Sequence, residues 1–200
     1  MCPFGAYDGD DTTLKGGTDG TVIGNTGNRL NVSSGNVDIT GALDVVDHEH
    51  YMVHQGRVFL YSIVVDPFAN TTTNNYIIVA PSGPPYIHFD HVLATMNQCR
   101  VSFFEDATYT GGSTATTQKK HRGSNNTTSV VIKTTPTITS DGTLLWTEDT
   151  GGATGGKAGA SNTDGLEWIL SPTKIYLFRI LAEQSGNAYS LGLSWYEAGL

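Results

Sequence analysis

The segment Tyr189 to Glu197, "YSLGLSWYE", puts Leu191, Leu193 and Trp195 on one face of an extended chain and Ser190, Gly192 and Ser194 on the other. Side chains alternate along a strand with a period of two, so this spacing predicts a strand with one face on a core and the other half exposed. Similar runs recur at Arg57–Asp66, Asn75–Ala80, Arg100–Asp106, Ser129–Thr135, Thr143–Glu148, Leu166–Leu170 and Lys174–Glu183, rich in β-branched or aromatic residues and bounded by turn residues. No stretch repeats apolar residues at i, i+3, i+4 and i+7, the spacing an amphipathic helix needs. The expected fold is therefore all-β, an antiparallel β-sandwich. Val58–Val65 and Ile175–Leu181 are apolar on both faces, which predicts strands that are central or are covered on the outer side by another chain.

Ahead of these strands, Thr18 to Val46 is dominated by small and polar residues. Its apolar residues fall in short alternating doublets, Leu30 with Val32, Val37 with Ile39 and Leu43 with Val45, separated by "NTGN", "SSGN" and "TG". Isolated hairpins are marginal in water, so pieces this short must pair with something larger. Residues 1–47 are expected to form an extended N-terminal β-arm that makes assembly contacts, and residues 48–200 the sandwich domain. Val22, Ile23, Leu30, Val32, Val37, Ile39, Leu43 and Val45 are the residues expected to enter apolar grooves on a partner. The alternative is that this stretch completes the sandwich as ordinary strands.

The acidic balance excludes some partners. With 19 Asp and Glu against 11 Lys and Arg, the net charge is −8, a field that repels phosphate backbones and anionic lipid, so neither nucleic acid nor membrane is an expected partner. The basic cluster "QKKHR", Gln118 to Arg122, is expected at a solvated loop tip. Two connections, Thr108 to Thr128 and Asp149 to Gly165, are long for a compact domain, which points to contacts beyond it. Cys2 and Cys99 are the only cysteines, too few for a disulfide framework, and a reducing compartment is expected. No basic and apolar leader opens the chain and no run of about 18 apolar residues occurs, so neither export nor a spanning helix is expected.

Chemistry-bearing clusters are sparse. His48, His50 and His54 in "HEHYMVH" would share one face of an extended strand and could hold a metal, but no second ligand cluster accompanies them. Polar residues at a junction or interface are the preferred reading, and no metal or cofactor is expected. His88, Asp90 and His91 in "HFDH" lack a partnering nucleophile motif and are expected in a core or an interface. Glu105 with Asp106 and Glu148 with Asp149 are sequence neighbours, so strand geometry turns each pair to opposite faces and away from the paired arrangement of a glycosidase. Trp146, Trp168 and Trp195 are expected as core or interface anchors rather than sugar platforms. Asp8, Asp10 and Asp11 lack the closing Glu of a calcium loop. No catalytic residue is expected.

The segments "DGTVIGNTGNRLNV", "HQGRVF", "FDHVLAT", "FFEDATYTGGSTAT", "LSPTKIYLFRILAEQSGN" and "LSWYE" together resemble a family of small structural proteins of tailed bacteriophages. The resemblance runs from about Asp19 to the end of the chain. It implies an N-terminal arm before a jelly-roll or tulip-like β domain, assembly as a homotrimer, and a place on the virion, assembled in the host cytoplasm. Where that family often carries Pro and Asn with Arg, this chain has Gln118 to Arg122, with Arg122 the matching residue. The expected function is a non-enzymatic capsid cement or decoration protein that contacts the major capsid protein. A tail or head fibre that binds a host-surface glycan or receptor is the alternative.

Overall fold

A computed structural model describes residues 48–150, 159–162 and 167–199. The chain divides into two units, Met1–Asp47 and His48–Leu200, and every described residue belongs to the second. The expected arm contacts from Val22 to Val45, with Cys2 and the Asp8 to Asp11 cluster, lie outside the described residues.

The second unit is an antiparallel β-sandwich. After a short helix α1 (His48–His54) come β1 (Val58–Phe68), β2 (Thr73–Val79), β3 (Tyr86–Thr95), β4 (Cys99–Glu105), β5 (Thr108–Thr110), β6 (Ser113–Thr114), β7 (Gln118–Lys119), β8 (Val131–Thr134), β9 (Thr137–Ser140), β10 (Thr143–Thr150), β11 (Gly159–Asn162), β12 (Trp168–Leu170), β13 (Ile175–Ala182) and β14 (Asn187–Ala198). One six-stranded sheet has the order β11-β3-β14-β1-β7, with β12 also paired to β3; the other has the order β10-β4-β13-β2-β8-β6.

The alternation predicted for β14 holds: Leu191, Leu193 and Trp195 are buried while Ser190 is exposed and Gly192 and Ser194 are half-buried. Across the core, Phe89 of the first sheet stacks on Phe103 of the second at 5.7 Å, and Phe103 stacks on Tyr176 at 5.4 Å. Offset aromatic pairs at these separations add to the area they bury. Around them sit Phe68, Ile78, Ile87, Leu93, Ile132, Phe178 and Trp195, all fully buried.

The two strands that are apolar on both faces part company. β13 is central, and its outer face is covered within the same chain: Leu177 and Ile77 are fully buried with Ala107 against Tyr109 and Ile138, which belong to the two-stranded ribbon β5-β9. Burying a leucine this way contributes roughly 1.5–3 kcal/mol, so β13 needs no second chain over it. β1 is covered only at its start, where Val58 is 1% exposed; farther along the same face, among the described residues, nothing covers Val64, which is 72% exposed.

Two expectations are corrected. His48–His54 is helical, not extended. Gly56 takes a left-handed φ of 68°; its N–H bonds the Val53 carbonyl at 2.9 Å and the Arg57 N–H bonds that of Met52 at 3.0 Å, a Schellman cap that only a helix can carry. The buried Met52 fastens this turn to the sandwich. The second correction concerns Gln118 to Arg122, which is exposed at every residue but Lys119, as a solvated tip would be, but is anchored to the domain at its start. Gln118 and Lys119 form β7 on the edge of β1, opposite Leu60 and Phe59. The side chains beyond are engaged too, Lys120 with Glu49 at 2.8 Å, Arg122 with Gln118 at 2.8 Å, and His121 Nδ1 with the His54 carbonyl at 3.1 Å. The long connection therefore ties the sheets together: β6 pairs with β8 in one and β7 with β1 in the other.

Candidate functional site

The outer face of the β3-β14-β1 sheet carries several of the exposed apolar side chains of this domain. Registers place Ser62, Gly192 and Val92 side by side across β1, β14 and β3, and Val64, Ser190 and Ala94 in the next row. The small residues lie low between Val64 and Val92, the latter 45% exposed, and form a shallow depression of about 370 Å³. Farther along the same sheet, Ile169 of β12, 61% exposed, stands opposite His88. Val64, Val92 and Ile169 share this face, although Val131 of the other sheet is exposed as well; apolar side chains grouped on one face are typical of contact surfaces.

The edge beside this face is open. β7 covers β1 only at Phe59 and Leu60, so among the described residues no strand pairs with the outer edge of β1 from Tyr61 onward. An edge without bulge or charge along Tyr61 to Val65 offers its N–H and C=O groups to another strand.

At the helix end of the sheet, His88 stacks on Tyr196 at 4.3 Å and bonds Glu167 through Nδ1 at 3.1 Å. His48 meets Tyr196 edge-on at 5.6 Å. The three histidines expected on one strand face are thus split by the helix: His48 turns to the sheet, whereas His50 and His54, one turn apart, bring their Nε2 atoms to 2.9 Å. His91 is a core residue, 2% exposed, with Phe178 at 4.8 Å and Trp146 at 5.2 Å. Burial lowers its pKa below the ordinary histidine value, with the nearby Asp90 opposing.

The carboxylates are drawn into the scaffold. Glu105 accepts from the Tyr176 hydroxyl at 2.8 Å, and burial, helped by that carboxylate, pushes the phenol up to about 12. Asp106 pairs with Lys174 at 2.7 Å. Asp149 and Glu183 both hold Arg100, at 2.9 and 2.8 Å. Asp141 takes a two-pronged contact from Arg179, which holds its carboxyl below the usual range. Each of these carboxylates is occupied by a hydrogen-bonding partner that fixes strand ends and turns. Trp195 is buried and donates from Nε1 to Thr128 at 3.0 Å, and Trp146 and Trp168 pack half-buried against the core.

A second concavity of about 590 Å³ lies at the end of β14, between Arg57, Pro84, Asn125, Asn126 and Glu197. Its Glu197 is buried and accepts from the Thr128 hydroxyl and the Ser129 N–H at 2.6 and 2.8 Å, and Asn126 donates to the Gln55 carbonyl at 2.9 Å. It is open and polar.

Reasoning from the sequence flagged the strand that carries Val64 but missed Val92 and Ile169. The signal for Val92 was present in "YIHFDHVLAT", where it falls on the opposite face to Phe89, His91 and Leu93. Among the described residues, no helix is long and apolar enough to cross a membrane. Comparison with protein-family models, with curated proteins and with solved structures finds no match.

Proposed function

We propose that this chain is a non-enzymatic structural protein of a tailed-bacteriophage particle, a capsid cement or decoration protein that acts by contact with copies of itself as a homotrimer and with the major capsid protein. The observation that carries the reading is the open β1 edge beside the exposed Val64 and Val92. A face and an edge left bare at the same place are suited to burial against another chain, and a threefold arrangement would close them. The sequence resemblance supplies the phage context. Residues 1–47 then serve as the anchor, with Val22, Ile23, Leu30, Val32, Val37, Ile39, Leu43 and Val45 entering grooves on the shell. The engagement of Glu105, Asp106, Asp141 and Asp149 in structural pairs favours contact over chemistry.

One observation favours the fibre alternative. The concavity between Arg57, Asn125 and Glu197 exposes the Arg57 guanidinium and the Asn125 amide, groups of the kind that bind sugar hydroxyls.

Location on the particle separates the two. Immunogold labelling of purified virions with antibody against the recombinant chain is expected to decorate the head shell. Label confined to fibre tips would favour the glycan-binding alternative, and particles without label would refute both.

A further inference from the structure

We infer that His50 and His54 form a two-imidazole site for a divalent transition-metal ion that takes its nitrogen ligands at right angles, such as Ni²⁺ or Cu²⁺. The inference rests on the helix geometry and stands independently of the assembly reading.

The two Nε2 atoms are 2.9 Å apart on an exposed face of α1. Metal–imidazole bonds are about 2.0–2.1 Å long, so two nitrogens on one ion stand about 2.9 Å apart when they subtend a right angle and about 3.4 Å apart at the tetrahedral angle. The observed separation is that of cis ligands in square-planar or octahedral coordination. It is also the length of a hydrogen bond between two neutral imidazoles, in which one Nε2–H donates to the other Nε2. Binding the ion replaces that shared proton, which moves through water to the Nδ1 of the donating ring, so both rings remain neutral ligands.

A seven-residue helix would not hold two rings in register by itself. This one is fastened at every turn. Met52 is buried beneath it, and Gly56 caps it. Glu49 pairs with Lys120 at 2.8 Å, His121 Nδ1 donates to the His54 carbonyl at 3.1 Å, and Asn126 donates to the carbonyls of Gln55 and Gly56 at 2.9 and 3.2 Å. With the backbone fixed, only side-chain torsions remain to be ordered when the ion arrives, which favours affinity. Among the described residues, no group of three or more His, Cys, Asp or Glu side chains is arranged to hold a metal ion, so the remaining positions go to water. An all-nitrogen pair of this kind discriminates against Mg²⁺ and Ca²⁺, which prefer oxygen.

The test is calorimetric titration of the full chain with NiCl₂, with melting curves to confirm that each variant is folded. One ion per chain is expected, with His50→Ala and His54→Ala each weakening it at least about tenfold, the smallest loss usual for partners of a metal site. His48→Ala, whose ring faces Tyr196, should leave the affinity unchanged. Copper-loaded protein should show hyperfine coupling to two imidazole nitrogens, falling to one in either variant. Equal nickel affinity in all variants, or a loss as large in His48→Ala as in the other two, would overturn the assignment, as would binding abolished by equimolar MgCl₂.

Discussion

The hydroxyl oxygens of Tyr76 and Tyr189 lie 2.6 Å apart across the two sheets, and Asn74 donates to the Tyr189 oxygen at 2.7 Å. Burial and this contact raise the Tyr76 pKa far above the ordinary phenol value, so both groups stay neutral and bonded. A buried hydroxyl that loses its partner costs about 1–3 kcal/mol, whereas removing both partners is much milder. Urea unfolding of Tyr189→Phe should show a loss in that range. The double variant Tyr76→Phe with Tyr189→Phe should lose less than the sum of the singles; strict additivity would mean the hydroxyls do not hold the sheets together.

His91 makes the core sensitive to acid. Its folded pKa lies below the unfolded value of 6.5, lowered first by burial. The unfolded chain therefore binds the proton more readily. The stability from keeping His91 neutral is complete above about pH 6.5 and is lost as the pH falls below it towards the folded pKa, at up to about 1.4 kcal/mol per pH unit. In His91→Phe, melting temperatures between pH 7.5 and pH 5 should fall less than in the parent chain, and an unchanged difference would show that other groups govern acid unfolding.

Much of this architecture was legible in the sequence, and the exceptions share a physical origin. Strands dominated by apolar and aromatic residues, such as Val58–Phe68 and Ile175–Ala182, stood out because few polar residues interrupt them. β3 did not, although it is paired on both sides within its sheet, because His88, Asp90 and His91 interrupt its apolar pattern and Pro84 with Pro85 precedes it. The helix at His48 was hidden for another reason: with only seven residues it has no period to read, and its stability comes from contacts with Lys120, His121 and Asn126, about 70 positions away in the chain. The cover over Leu177 was likewise invisible, because the ribbon β5-β9 is built from threonine-rich pieces of three and four residues. Neither Val64 nor Val92 can be recognised as exposed until the register across β14 is known.

Gly142, at the turn into β10, has φ +81°, and a Cβ there would run into the Glu105 carbonyl oxygen and the backbone of Asp106 and Ala107. Gly142→Ala should therefore destabilise the domain by about 1–3 kcal/mol or more. Gly83→Ala is the control, since nothing lies within 4 Å of a Cβ at that position. Equal unfolding midpoints for the two variants would contradict the close approach at Gly142.

Self-association through the bare face of β1 should appear in sedimentation. The full chain is expected to run as a species of three times 21.3 kDa at micromolar concentration, and Val64→Glu should shift it towards the monomer by placing a charge in the contact. A monomer for the parent chain, or a trimer indifferent to Val64→Glu, would place the contact elsewhere.

The most direct measurement is the number of copies per particle, obtained by quantitative mass spectrometry of purified virions against the major capsid protein. A cement protein should be present in hundreds of copies, in a fixed ratio to the shell subunit and in a multiple of three. Tens of copies or fewer would contradict the cement assignment, and absence from the particle would contradict a structural role altogether.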